Sequence, residues 1–198
     1  MHIEQIKLVK TTKRDKDYSW FDIETNIEKE YSQKNLNNIL DSLQDKFKEN
    51  NITYIWGNFS GGHDEGGFDD AEFYNKDLEK VEPKDLTAFW VTQYSLFKTE
   101  ENEEIKYYVS EYSKTIDMLK PDSNYNAIAL LYKTGALNEY GSFAGEFHVD
   151  GEVKLDVINK KYYRTGNQTV EQWESIDEEV YIETLNGEEI KDNGTNYK

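Results

Sequence analysis

The stretch EEIKYYVSEYSKTIDML, residues 103–119, decides how the chain is read. Its apolar positions Ile105, Tyr108, Val109, Tyr112, Ile116 and Leu119 recur at i, i+3, i+4, i+7, i+11 and i+14, the spacing of one helical face, and Pro121 closes it. On that reading Tyr108 and Tyr112 are core residues, and Tyr107, Tyr108 and Tyr112 do not form a binding face. Upstream, Leu36, Ile39, Leu40, Leu43 and Phe47 make a second helical face with Ser32 as its N-cap, and DIETNIEKEY extends it backward. Pro83 opens a segment in which Leu86, Trp90, Tyr94 and Phe97 are spaced by four, four and three, read as a further helix. A short helix through Tyr125, Ile128, Leu131 and Tyr132 is expected to end near Gly135.

Strands are expected elsewhere. IEQIKLVK (3–10) and ITYIWGNF (52–59) are rich in β-branched and aromatic residues, and the second runs into the glycine-rich turn SGGHDEGG. FDDAEFY (68–74) is its hairpin partner. Phe143, Gly145, Phe147 and Val149 alternate, as do Val153, Leu155 and Val157, and Asp150-Gly151 between them reads as a hairpin turn. The expected fold is therefore α+β: an antiparallel sheet built from hairpins, packed against about three helices. Residues 1–168 are expected to form a single domain, followed by an acidic C-terminal segment, 169–198. In that segment Asn186-Gly187 signals a hairpin, while Thr169 and Gln172 have the spacing of a helix capping box.

Charge narrows the partners. The 198 residues carry 40 acidic and 23 basic side chains, a formal net charge of −17, with no cysteine. A field of that sign disfavours direct contact with DNA, RNA or anionic membranes, which bind through clustered Lys and Arg, and favours a basic protein. No disulfide or thiolate chemistry is open to the chain, and no signal peptide or apolar run of membrane-spanning length is present, so a cytoplasmic protein is expected.

Two segments concentrate chemistry. FSGGHDEGGFDDAE sets His63, Asp64, Glu65, Asp69, Asp70 and Glu72 around four glycines with no Lys or Arg between them. Carboxylates so crowded are relieved by a cation or by a basic partner, yet the spacing matches neither a calcium loop, nor H-E-x-x-H, nor a phosphate-binding loop. In GEFHVDGE, strand alternation puts Glu146, His148, Asp150 and Glu152 on one face. Residues 171–192 hold nine acidic residues and one basic, a net of −8, so Glu174, Asp177, Glu178 and Glu179 join Asp64, Glu65, Asp69, Asp70 and Glu72 as partner-binding candidates. The alternative is a divalent metal ion held by His63, Asp64, Asp69, Glu146 and His148; otherwise no cofactor is implied. No catalytic residue is assigned, since nucleophile elbows and nucleotide-binding motifs are absent. A third reading makes the aromatic segment at Phe89, Trp90 and Tyr94 a hydrophobic interface.

SGGHDEGG after a strand and GSFAGEFHVDG after a helix resemble a group of small acidic bacterial and phage proteins, in which a strand enters a Gly-Gly-Asp-rich turn and a later helix leads into a G-x-[FY]-G-E-F hairpin. Ala144 is an insertion in that motif, and KTGALNEYG lacks the group's Gly-Gly-Trp. In charge and size the chain is also similar to the acidic inhibitors, some of them DNA mimics, that phages and mobile elements direct against CRISPR and restriction nucleases. The group supplies no mechanism; the charge of −17 and the acidic clusters at 63–72 and 171–192 lead to the expectation of a non-enzymatic inhibitor of a basic nucleic-acid-binding protein.

Overall fold

A computed structural model describes residues 3–13, 20–62, 65–101, 104–121, 125–132, 148–169 and 173–181. In chain order these form β1 (Ile3–Lys13), α1 (Trp20–Glu49), β2 (Tyr54–Gly62), β3 (Glu65–Phe68), β4 (Glu72–Tyr74), β5 (Lys80–Val81), β6 (Thr87–Glu101), β7 (Glu104–Asp117), α2 (Ala127–Leu131), β8 (His148–Asp156), β9 (Lys161–Thr169) and β10 (Trp173–Tyr181). The described residues are mostly β, in two antiparallel sheets, with one long helix and one short one. This corrects the α+β expectation of about three helices on a sheet.

The correction centres on residues 86–119. Both segments read there as helices are strands, and β6 and β7 form one long hairpin from Thr87↔Asp117 to Glu101↔Glu104. Ile105, Tyr107 and Val109 are buried while Lys106, Tyr108 and Ser110 between them are not, a period of two. A spacing of four belongs to both periods, so 105/109, 108/112 and 112/116 fit either, and the β-branched and aromatic content settles it for strand. β1 pairs with the other edge of β7, giving the order β1-β7-β6.

The helix through Leu36, Ile39, Leu40, Leu43 and Phe47 forms as expected, with all five buried. It starts at Trp20, so Ser32 is interior to it and not its cap. It ends where Asn51, at φ 55, takes the left-handed conformation that Asn tolerates and Ile52 N–H returns to Phe47 C=O at 2.8 Å. α1 runs along the free edge of β6 and supplies the partners a further strand would have given. The Asn35 side chain accepts from Tyr94 N–H at 2.6 Å and donates to Tyr94 C=O at 2.8 Å, and Asn38 donates to Thr92 C=O at 2.9 Å.

The larger sheet has the order β10-β9-β8-β2-β4-β5, with β3 also on β2. β2 meets β3 at Phe59↔Phe68 through Gly62↔Glu65, then β4 at Tyr54↔Tyr74 through Trp56↔Glu72. Asp150-Gly151 is not a turn. Gly151 lies mid-strand, opposite Phe59 on one side and Gly166 on the other. Burial of Val149, Val153, Leu155 and Val157 runs straight through it; Phe143 and Phe147 lie outside the described residues. The chain reverses after Asp156 instead, where that buried carboxylate accepts from the backbone N–H of Ile158 and of Asn159, and Lys160 takes φ 52. Residues 173–181 form a strand, not a helix, and Asn186-Gly187 lies outside the described residues. α2 is capped by Asn126, whose Oδ1 accepts from Ala129 N–H at 2.8 Å. No helix among the described residues is long and apolar enough to cross a membrane.

Tyr112, on β7, places its hydroxyl 3.4 Å from that of Tyr125. Burial, and then this hydrogen bond, pushes the Tyr112 phenol up to about 12 from an ordinary value of 10.0. The unfolded chain therefore releases this proton first as pH rises. The stability it contributes is complete below pH 10 and is lost between about pH 10 and 12. Urea titrations across that range should show the stability of the wild type falling, and Tyr112→Phe should flatten the fall.

Candidate functional site

The two faces of β2 differ in kind. Ile55, Gly57 and Phe59 turn into the core, and Tyr54, Trp56 and Asn58 turn out. The outward Trp56 meets Glu72 of β4 on one side and Lys154 of β8 on the other, so residues far apart in sequence line one cleft of about 250 Å³: Trp56, Asn58, Asp70, Glu72, Tyr74 and Glu152 with the backbone of Gly57. Gly57 is required where it stands, because a Cβ there would lie 2.4 Å from Asp70 C=O and 2.7 Å from Leu131 Cδ1.

The carboxylates are anchored. Trp56 Nε1–H donates to one oxygen of Glu152 at 2.9 Å, and Thr165 Oγ1–H to the other at 3.1 Å. Tyr74 O–H donates to Glu72 at 2.5 Å, and the Lys80 ammonium donates to the second Glu72 oxygen. Lys80 and then Tyr74 hold the Glu72 carboxyl below the ordinary carboxylate range, and the same bond pushes the Tyr74 phenol up. The Trp56 and Tyr74 rings stand 5.5 Å apart as an aromatic wall. Beside them the Lys154 ammonium sits 5.4 Å from Trp56, 5.3 Å from Tyr54 and 5.1 Å from Tyr163, so this face already holds one cation against π surfaces.

Such an arrangement has the chemistry to receive a cation. A general acid needs a carboxyl raised toward neutral pH, and Glu72 is driven the other way. Fixed carboxylates beside aromatic faces instead suit an ammonium or guanidinium group.

Comparison with protein-family models, with curated proteins and with solved structures finds no match to this chain.

Of the partner-binding candidates, the structure brings Asp70 and Glu72 into the cleft. Asp69 is exposed beside them, and Glu65 is exposed at the start of β3, opposite Gly62. Asp64 lies outside the described residues. Glu174, Asp177, Glu178 and Glu179 are on β10, paired with β9, so β9 and β8 separate them from β2, about 14 Å at the usual strand spacing. Of the metal candidates, Asp69 and His148 are exposed, and His63, Asp64 and Glu146 lie outside the described residues. Among the described residues no group of three or more His, Asp or Glu is placed to hold a metal ion.

Sequence reasoning had not assigned Trp56, Tyr74 or Thr165 to a site. Alternation along ITYIWGNF carried the signal for Trp56, since inward Ile55 and Phe59 require Trp56 to point out. Phe89 and Trp90 are 69% and 71% exposed at a bulge between Ala88 and Val91, where Trp90 takes φ 60, whereas Tyr94 packs edge-on against Tyr31.

Proposed function

We propose that this chain is a non-enzymatic acidic binding protein that receives cationic side chains of a basic nucleic-acid-binding protein, such as a CRISPR or restriction nuclease, and so inhibits it. The convergence of Asp70, Glu72 and Glu152 with Trp56 and Tyr74 in one cleft, on a chain of net charge −17, carries this reading. Arg and Lys of a nucleic-acid channel are the groups that carboxylates and aromatic faces recognise, and a ligand occupying them competes with phosphate.

Purified CRISPR and restriction nucleases should bind the protein at low salt, release it as salt is raised, and lose their DNA to it in competition assays. Asp70→Asn/Glu72→Gln/Glu152→Gln should weaken that binding by at least roughly a hundredfold, since close charge pairs couple by about 1.5–7 kcal/mol each and two at the low end already reach about 3 kcal/mol. Absence of binding to either nuclease at low salt, or an unchanged affinity of the triple variant, rejects the proposal.

One observation favours a second reading, a divalent-metal site. Gly62, the residue before His63, is in register with His148, and Ser60 with Asp150, so the two histidine-bearing segments adjoin. If they bind metal, Mn²⁺, Zn²⁺ or Ca²⁺ should raise the melting temperature, and His63→Ala/His148→Ala should remove the rise. A melting curve indifferent to all three cations dismisses this reading.

A further inference from the structure

The sheet edges of this protein are not equivalent. The outer edge of β6 is taken by Asn35 and Asn38 of α1. β5 is two residues long, and β3, four residues long, gives its Gly66 C=O to the Tyr132 hydroxyl at 3.1 Å. β1 ends the smaller sheet and β10 the larger one, and among the described residues neither has a strand on its outer side. They are also long, at 11 and 9 residues. Such edges present a row of backbone donors and acceptors to any strand that fits.

β1 is exposed through Gln5, Ile6, Lys7, Leu8, Lys10 and Thr11, with Ile6 63% and Leu8 48% accessible. Register shifts between Ile3 and Gln5 and between Leu8 and Lys10 divide it into two regular stretches of four residues, Gln5–Leu8 and Lys10–Lys13. In charge the two edges are opposites. β1 carries Lys7, Lys10 and Lys13 against Glu4, in a chain that is acidic overall, and β10 carries Glu174, Asp177, Glu178 and Glu179 with no cation. Pairing β1 with β1, or β10 with β10, sets like charges opposite one another. Only the unlike pairing is attractive.

We propose that copies of this chain associate head to tail, the basic edge strand β1 of one copy adding to the acidic edge strand β10 of the next. The irregularity between the two regular stretches of β1 makes the contact weak, so it depends on concentration, and its charges make it depend on salt. An interface in which two different surfaces meet lets further copies add. It uses the outer edge of β10 and leaves the cleft on β2 free, so it stands or falls independently of the function proposed above.

Sedimentation of the full chain over a wide concentration range tests it at about 0.1 M salt, where a Debye length of about 10 Å screens the net charge of −17 between copies more than the contact charges, and at about 1 M, where both are screened. At low salt the average mass should rise with concentration, and at high salt it should return to that of the monomer. Lys7→Glu/Lys10→Glu and Glu178→Lys/Glu179→Lys should each associate at least about tenfold more weakly than wild type. Mixed in equal amounts, the two variants should recover association, because the first keeps its acidic β10 and the second its basic β1. Circular dichroism checks that each reversal folds, and Lys7→Gln/Lys10→Gln provides a milder form of the first. A wild type that stays monomeric at low salt, or folded reversal variants that associate as wild type does, overturns the proposal.

Discussion

Gly151→Ala should cost about 3 kcal/mol or more of folding stability, a large share of the 5–15 kcal/mol that holds a typical domain together. A Cβ at Gly151 would stand 2.2 Å from Thr165 C=O, 2.9 Å from Gly166 Cα and 3.0 Å from the Phe59 ring. Two of those three obstacles are backbone of β9 and cannot rotate away. Gly166 faces the same difficulty in reverse, with Asp150 C=O at 2.2 Å and Gly151 Cα at 2.7 Å. The ladder between β8 and β9 must therefore open, and among the described residues β9 is the strand that joins β10 to the sheet. Gly67→Ala is the control, because its nearest neighbour, Tyr132 Cε2 at 3.7 Å, is at ordinary contact distance. That substitution should change stability by no more than about 0.5 kcal/mol. Urea midpoints with an unchanged denaturant slope compare the two directly. If Gly151→Ala proves as mild as Gly67→Ala, the close approach of β8 and β9 is not as described.

Some of this architecture was legible in the sequence and some was not, for reasons visible in particular residues. α1 was readable because Leu36, Ile39, Leu40, Leu43 and Phe47 lie among Asn, Asp, Gln, Lys and Glu, and Ile39 is the one β-branched residue between 33 and 49. The apolar spacing of β7 repeats that of α1, 105/108/109/112/116 against 36/39/40/43/47, so spacing does not separate them; what marks β6 and β7 as strands is their content of Tyr, Phe, Trp, Val, Ile and Thr. Asp150-Gly151 has the composition of a turn, but its glycine is there for a neighbouring strand: no local rule reveals Gly166 opposite it. The cleft shows the same division. Asp70 and Glu72 stood out by charge, and Glu152 by strand alternation. Their meeting depends on β2 lying between β4 and β8, a pairing of strands almost a hundred residues apart. The charged candidates on β10 are local in sequence and remote in space from that cleft.

Phe47→Ala should destabilise the fold by about 3–5 kcal/mol, the range for deleting a buried aromatic ring. Phe47 is 0% exposed, in the last turn of α1, and belongs to the same core cluster as Leu43, Ile52, Ile55 and Leu86. Its carbonyl also accepts the Ile52 N–H that turns the chain toward β2, but the backbone bond survives the substitution, so the loss measures packing. The adjacent Lys46 gives the contrast. Its ammonium is 2.8 Å from Asp85, and that bond raises the Lys46 pKa, yet both groups are open to solvent, where hydration and salt offset most of the attraction. Lys46→Ala should therefore barely move the urea midpoint, while Phe47→Ala, one residue along, shifts it far. The cleft lies across the sheet on the face away from this core, so the fraction of Phe47→Ala that remains folded should bind a basic partner as wild type does. A small Phe47 effect would mean that α1 does not close the core as described; a large effect with lost binding in the folded fraction would tie the cleft to the helix rather than to β2, β4 and β8.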